Sequence, residues 1–464
     1  MKITRRHFLA NCLSGAGLML APGAVWPANA SRVLEAAPGR TQLEAGLDVP
    51  VWAYNQRVPG PEIRLRQGDV LDVRLKNRLQ QATSIHWHGL RIDNSMDGVP
   101  GFTQDAVQAG EDFDYTFHLP DAGTFWYHSH FSSSEQSARG MQGLLVVEEP
   151  DSYSVDRELS LVIDDWRLNS DNVIEPSFGN LHDVSHAGRL GNYLTVNGVS
   201  SPVFPVSHGE RLRLRLANTA NARVMPLQFD NVRCWTIALD GQPVLPAPLD
   251  QGSLVLAPGQ RADLVIDIED DVNTNIPINF MHRQGTLPIA YFQVNGRMES
   301  PVNRNMPVPL PDNPLPTSLD YRNALRVELV MSGGTMGQMR SAIFEGRAMS
   351  IRELVTRGKA WSFNGIVGMT EEPLFRVKRG RTMFIDMWNE TSWPHAMHVH
   401  GHHFKIIEKN DQKKSQSPWR DTTLMQVSDR ISIGFVADNP GKWLLHCHML
   451  EHMAGGMATW FEVI

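Results

Sequence analysis

The sequence predicts an all-β protein of three consecutive sandwich or barrel units. A strand pattern that occurs three times, two landmarks that recur with it, and frequent Gly and Pro turns carry that prediction. Gly68–Asn77 resembles Gly209–Asn218, and a third copy runs from Gly380–Phe384 to Asn389. Each copy alternates with period two and ends in Asn, the mark of a half-buried strand entering a loop. Gly110–Asp114 matches Gly259–Asp263, and Ser428–Ser432 holds the equivalent place in the last copy. Gly123–His130 parallels Gly441–His448. The units are therefore placed at 31–150, 151–300 and 318–464, with a proline-rich linker at 301–317. Its core, Met306–Pro316, cannot enter a central strand and reads as an extended connector. A short helix is expected within 341–358, around Ile351–Leu354.

Composition agrees. At roughly 150 residues per domain, 464 residues make about three. With 42% apolar and 20% charged residues the chain is not disordered, and 3 cysteines cannot staple it. A net charge of −7 with no basic block gives a nucleic-acid role little support, and no such partner is expected. The 18 histidines and 20 methionines direct attention to a metal.

Residues 1–30 read as an export address. Thr4–Leu9 looks like a twin-arginine signal around Arg5 and Arg6, an apolar stretch follows to Trp26, and Ala28-Asn29-Ala30 offers a cleavage site. Its removal takes Lys2, Arg5 and Arg6 and no acid, leaving 40 basic against 50 acidic residues, a net of −10. Only Cys234 and Cys447 then remain. The expected location is the periplasm, reached by the folded protein, with no membrane span.

Four blocks hold the chemistry: His86-Trp87-His88, His128-Ser129-His130, His395 to His400, and His446-Cys447-His448 followed by His452 and Met457. All fall in units one and three. The middle unit has Asn221–Pro226 at the corresponding place and reads as a spacer. Successive side chains of a strand point to opposite faces. His446 and His448 thus face one way and Cys447 the other, so one tripeptide touches two centres. The pairs His86/His88, His128/His130, His398/His400 and His446/His448 give eight imidazoles for a shared cluster. His395 has the opposite parity from His398 and joins Cys447. Two imidazoles, a thiolate and a thioether form the soft, trigonal arrangement of an electron-transfer copper. Zinc fits poorly, because thioether ligation does not suit it and eight further imidazoles exceed a tetrahedral site.

These blocks, in their order and spacing, resemble the copper motifs of the multicopper oxidases, and the likeness spans the whole mature chain. It is nearest to exported bacterial members of the laccase and copper-tolerance type. Met96–Gly101 and Trp393–His398 look like a branch linked with manganese oxidation. The resemblance implies three cupredoxin-like Greek-key domains and four copper ions. His395, Cys447, His452 and Met457 would hold type 1 copper, and His86 and His398 type 2. His88, His128, His130, His400, His446 and His448 would hold the type 3 pair. A reducing substrate would then give single electrons to type 1, which pass through Cys447 to a cluster where dioxygen becomes two waters. Relatives often carry an acid directly after the type 1 histidine, where this chain has Met453. Asp97 is the candidate for proton supply, with a plain turn residue as the alternative, and Glu451 is read as structural or solvent-facing.

The donor is expected to be Cu(I) or another metal ion, in copper tolerance, with a laccase-type phenol oxidase as the alternative. Met331, Met336, Met339 and Met349 are soft donors suited to Cu(I), unless they only fill apolar space. A phenol would instead meet exposed type 1 histidines. A copper-free assembly protein of this fold would have lost ligands, and none of the twelve positions is missing. The protein is expected to act as a monomer. Cys234 is read as a buried hydrophobe, His402 as a residue behind the ligands, and His403 as packed or solvent-facing. His118, His182, His186, His208 and His282 receive no role.

Overall fold

In the computed structural model, which describes residues 32–230, 232–299, 305–316 and 318–464, the recurring strands hold equivalent places in three sheets. They are Val70–Asn77, Arg211–Asn218 and Thr382–Asn389. Each runs parallel to a preceding strand: Arg32–Glu44, Arg157–Trp166 or Leu325–Gly333. Each pairs antiparallel with the strand carrying the second landmark: Asp112–His118, Arg261–Asp267 or Arg430–Val436. A second sheet faces each of these. Apolar side chains from both fill the space between, with Leu71, Val73 and Leu75 against Trp87, Phe125 and Leu145 in the first unit. The chain is all-β, and its strands fall within 32–148, 157–297 and 325–463. Residues 1–30, with the twin-arginine segment, lie outside the described residues, as do 301–304 and 317 of the linker.

The half-buried expectation holds for Val70–Asn77 but not for Arg211–Asn218, every residue of which is buried. Its polar face packs on the first unit. Arg213 donates to Glu149 of the first unit at 2.7 Å and Arg215 to Thr124 of that unit at 3.1 Å, while Asp263 and Glu158 of their own unit accept from them at 2.7 and 2.9 Å. Burying these charges is tolerable only because each guanidinium meets carboxylates.

The terminal asparagines explain why the pattern recurs. Asn77 Nδ2 donates to the carbonyls of Gln81 and Val107, both at 2.9 Å. Asn218 does the same to Arg223 and Leu256, and Asn389 to Trp393 and Gln426. Each Oδ1 accepts the backbone N–H two residues on. One buried side chain thus satisfies three main-chain groups and fixes the loop that leads into the next strand. In units one and three that strand carries the first histidines.

The second sheet of unit one orders Gly60–Arg66, Gln142–Glu148, Gly123–His128 and His86–His88. That of unit three orders Arg376–Val377, Ala458–Val463, Gly441–Cys447, His395–Val399 and Thr422–Met425. The predicted helix is Ile351–Thr356, started by a capping box between Ser350 and Glu353. The connector crosses the first two units, where Asn313 exchanges hydrogen bonds with the main chain of Ala122, both 2.8 Å. No helix among the described residues is long and apolar enough to cross a membrane.

Replacing Asn389 by Ala strands buried main-chain groups, at about 1–3 kcal/mol each. The melting transition of unit three is expected to fall by roughly 5–10 °C. Calorimetry of Asn389→Ala checks this, and an unchanged profile would refute the clamp.

Candidate metal centre

Strand pairing sets the ligands side by side. His86 lies opposite His128, while His398 lies opposite His446 and Met397 opposite Cys447. The two outer units then meet ring to ring. His88 stacks on His398 at 3.7 Å and His86 on His400 at 3.9 Å. The eight imidazoles, all buried, resolve into overlapping groups whose donor atoms lie within 4.8 Å: His86/His88/His398, His88/His128/His448 and His130/His400/His446. Parity placed all eight on one cluster, and the structure brings them together. His446 and His448 fall in different groups, so the Cys447 tripeptide reaches three sets of donors.

The outward nitrogens decide which nitrogens face inward. A carbonyl only accepts, so the ring nitrogen facing one carries its proton. His86 Nδ1 donates to Asp97 O (2.8 Å), His128 Nδ1 to Ser129 O (3.0 Å), His398 Nδ1 to Asp421 O (3.0 Å) and His446 Nδ1 to Cys447 O (2.9 Å). His400 Nδ1 donates to the Asp97 carboxylate at 2.8 Å. His88 is turned over: its Nε2 donates to Asp421 Oδ1 at 3.2 Å. The ring nitrogens left inside have no hydrogen-bond partner among the described residues: Nε2 of His86, His128, His130 and His398, Nδ1 of His88, and both nitrogens of His448, one of which carries its proton. The Nε2 atoms of His400 and His446 face each other at 3.1 Å. Burial, with the neighbouring imidazoles, holds His88, His130, His398 and His448 well below the usual histidine range. A buried nest of neutral imidazoles with orphaned lone pairs is costly as it stands and is what metal ions would satisfy.

A second centre lies across the strand. Cys447 Sγ is 3.6 Å from His395 Nδ1 and 3.7 Å from His452 Nδ1, and these nitrogens are 3.0 Å apart. That triangle accommodates one ion at roughly 2.0–2.3 Å from each donor. The other ring nitrogens are engaged, His395 Nε2 with Thr391 Oγ1 (2.8 Å) and His452 Nε2 with the carbonyl of His186 (2.7 Å). Burial pushes the Cys447 thiol up to about 12, so a thiolate here requires a cation among these donors. Met457 is buried in the same core; its carbonyl accepts from Cys447 N and its N–H donates to His452 O. The donor set fits copper.

Several expectations change. His395 and His452 are both 0% exposed, so no phenol reaches them directly. Met331 and Met349 are buried in separate cores, and Met339 accepts a hydrogen bond from Ser362, while Met336 alone of the four is exposed. The four methionines form no common site. Glu451 is buried, not solvent-facing, and accepts from Arg189 N and Asn221 Nδ2 of the middle unit. Burial raises it above the usual carboxylate range. Cys234 is buried, as expected, with no disulfide among the described residues, and burial raises its thiol as well. His402 packs under His400 against Phe435, Trp443 and Phe461. His403 is buried beside Gln242 and Asp421.

Two participants, Asp421 and His186, escaped the sequence, and a third, Asp97, does more than was read there. Asp97 was read there as a relay or a turn residue; the structure places its main-chain carbonyl on His86 and its carboxylate on His400, so it also bridges the outer units. Asp421 receives His88 and is itself clamped by Arg261 of the middle unit at 2.6 and 2.9 Å. His186 supplies the carbonyl over His452. Arg261 does lie in a recurring landmark, but a landmark within one unit does not announce a partner in another.

Burial holds His446 and His452 at about 4, against about 6.5 in an unfolded chain. Between those values the unfolded chain binds more protons. The stability these groups provide is present above about 6.5 and is lost as pH falls toward 4. Melts of copper-stripped protein are expected to show a midpoint that drops across this window, and a flat midpoint would refute the buried neutral state.

Models of the multicopper oxidase family match residues 35–152, 113–292 and 345–464. The crystal structure of a multi-copper oxidase from Pseudomonas thermotolerans superposes with a TM-score of 0.80 at 31% identity, covering 96% of this chain and 100% of that one. The multicopper oxidase MmcO of Mycobacterium tuberculosis is 27% identical, over 92% of this chain and 86% of its own. A copper resistance protein A homolog of Pseudomonas syringae pv. tomato is 25% identical over 98% of both chains.

Proposed function

The chain belongs to the multicopper oxidase family, and we propose that its electron donor is a metal ion, Cu(I) foremost, oxidised in copper tolerance. As a member it is an oxidoreductase that uses dioxygen and carries four copper ions. We assign type 1 to His395, Cys447, His452 and Met457, and type 2 to His86 and His398. The type 3 pair falls to His88/His128/His448 and His130/His400/His446. The observation that carries this assignment is the convergence of the Cys447 triangle and the imidazole groups on two sides of one strand. Bound there, copper would supply one-electron acceptance at the thiolate and four-electron reduction of dioxygen to water among the histidines.

The chain's own part is continuity, orientation and exclusion of water. From Cys447 the main chain runs one residue either way to His446 and His448, and the His446 Nδ1 bond to the Cys447 carbonyl shortens one route. The buried carbonyls fix His86, His128, His398 and His446, and the Asp97 and Asp421 carboxylates fix His400 and His88, in the tautomers that present their lone pairs inward. Asp97 holds His400 Nδ1 and stands as the carboxylate able to move a proton at the cluster edge. Glu451 braces instead, since both its oxygens accept from the middle unit.

The metal-ion reading is supported by the cover over His452, which denies a bulky phenol direct contact. Mn(II) has the resemblance of Met96–Gly101 and Trp393–His398 as its support. Export to the periplasm by the twin-arginine route rests on Arg5 and Arg6, and fractionating cells that carry Arg5→Lys/Arg6→Lys tests it.

Purified, reconstituted protein is expected to hold about four coppers and a blue thiolate band, and to take up oxygen faster with Cu(I) than with a phenol or Mn(II). Fewer coppers and no band would sink the copper assignment; a faster phenol would overturn the donor. Asp97→Asn keeps an acceptor for His400 but cannot take a proton. It is expected to slow oxygen turnover by about 10²–10⁴ and move its pH profile at unchanged copper content. An unaltered profile would remove Asp97 from proton supply.

A further inference from the structure

One segment of the middle unit lies over the type 1 triangle. Leu181–Ser185 forms a short helical stretch, capped by Asn180, whose side chain accepts from Asp183 N at 3.0 Å. The next residue, His186, turns its carbonyl onto His452 Nε2 at 2.7 Å. The segment is tied to unit three by the two residues just before that bond. Trp361 Nε1 donates to Val184 O (2.5 Å), and Thr335 N donates to Ser185 O (2.7 Å). Trp393 Nε1 in turn donates to Thr335 O at 3.0 Å. The outer face of this layer carries two imidazoles one helical turn apart. His182 has 77% of its side chain exposed; His186 is half-buried against Trp393. Their rings stack at 4.2 Å and 12°.

His186 Nδ1 lies 3.0 Å from the His182 carbonyl, which only accepts, so that nitrogen carries the proton and Nε2 keeps its lone pair. His182 is largely exposed, and its staggered side-chain rotamers can turn the ring from its stack on His186. The mechanism above uses neither ring.

Resting on the oxidase reading, we propose that His182 and His186 form the docking site at which Cu(I) gives up its electron. Cu(I) bound by the two imidazoles becomes Cu(II) and leaves. Its electron travels from the His186 ring along that residue's own bonds to the carbonyl, and across the hydrogen bond to His452. Four such events, with one dioxygen and four protons, give two waters. Two imidazoles suit a d¹⁰ cuprous ion, which accepts low coordination numbers. A hard ion such as Mn(II) wants carboxylate oxygens. The carboxylate next to the pair, Asp183, is buried and charge-paired: Arg167 and Asn180 both donate to its Oδ2 at 2.6 Å, and only its Oδ1 faces His182 Nδ1, at 3.8 Å. The thioether of Met336, next in the chain after Thr335, is 71% exposed and offers a further soft donor. Thr335 Oγ1 itself lies 3.3 Å from His186 Nδ1.

The test uses full-length, copper-loaded protein with His182→Ala and His182→Ala/His186→Ala variants. His182 is mostly exposed and its stacking partner is the other ring of the pair, so the single variant keeps the fold if the double does not. Ag(I), a redox-inert stand-in for Cu(I), is titrated calorimetrically. Oxygen uptake is then compared for Cu(I) and 2,6-dimethoxyphenol. The double variant is expected to lose one Ag(I) equivalent, to raise KM for Cu(I), and to lower the Cu(I)-to-phenol ratio of kcat/KM at least tenfold. Unchanged Ag(I) binding, an unchanged ratio, or a larger loss with Mn(II) than with Cu(I) would each overturn the site. Failure of the oxidase reading would show separately, as unmodified protein without copper or oxygen uptake.

Discussion

The opposite orientation of successive side chains along Gly441–Cys447 is the constraint around which this molecule is organised. A cysteine between two histidines cannot point with them, so two chemical centres are fixed on either side of one strand. Everything else brings partners to those two sides. His395–Val399 lies alongside with its own parity, sending His395 to the sulfur and His398 across. Unit one supplies two further pairs, which meet those of unit three by ring stacking between His88 and His398 and between His86 and His400.

The middle unit is more than the spacer its missing ligands imply. It gives Arg261 to Asp421, and through that carboxylate reaches His88. Its Gly259 has φ +84, and a Cβ there would stand 3.0 Å from His88 and 3.1 Å from His448. Its Asn221 and Arg189 hold Glu451, and its His186 carbonyl covers His452. The unit gives no ligand to either centre but touches the surroundings of both.

What the sequence made legible follows local rules. Period-two alternation, the repeated Asn, and parity around Cys447 are properties of single strands, and His–x–His spacing inherits them. Contacts between units obey no such period. Nothing in the string says that Asp421 meets Arg261, or that the face of Arg211–Asn218 is buried against Glu149 and Thr124 of the first unit. The methionines of 331–349 misled for a related reason. Spacing along a chain that turns through Gly333 and Gly334 does not preserve a face, and Met331 and Met349 end in different cores. His182 and His186 received no role because their significance is a position over another unit.

The bond that closes over His452 comes from a main-chain carbonyl. No point substitution deletes a carbonyl, so this contact is insulated from ordinary genetic variation in a way a side-chain acceptor would not be. The rings and thioethers around it carry no such protection. Drift or selection can exchange them freely, altering which molecules pause at this surface while the connection beneath stays constant. A fold wired in this way can diversify its preferences without rebuilding its interior.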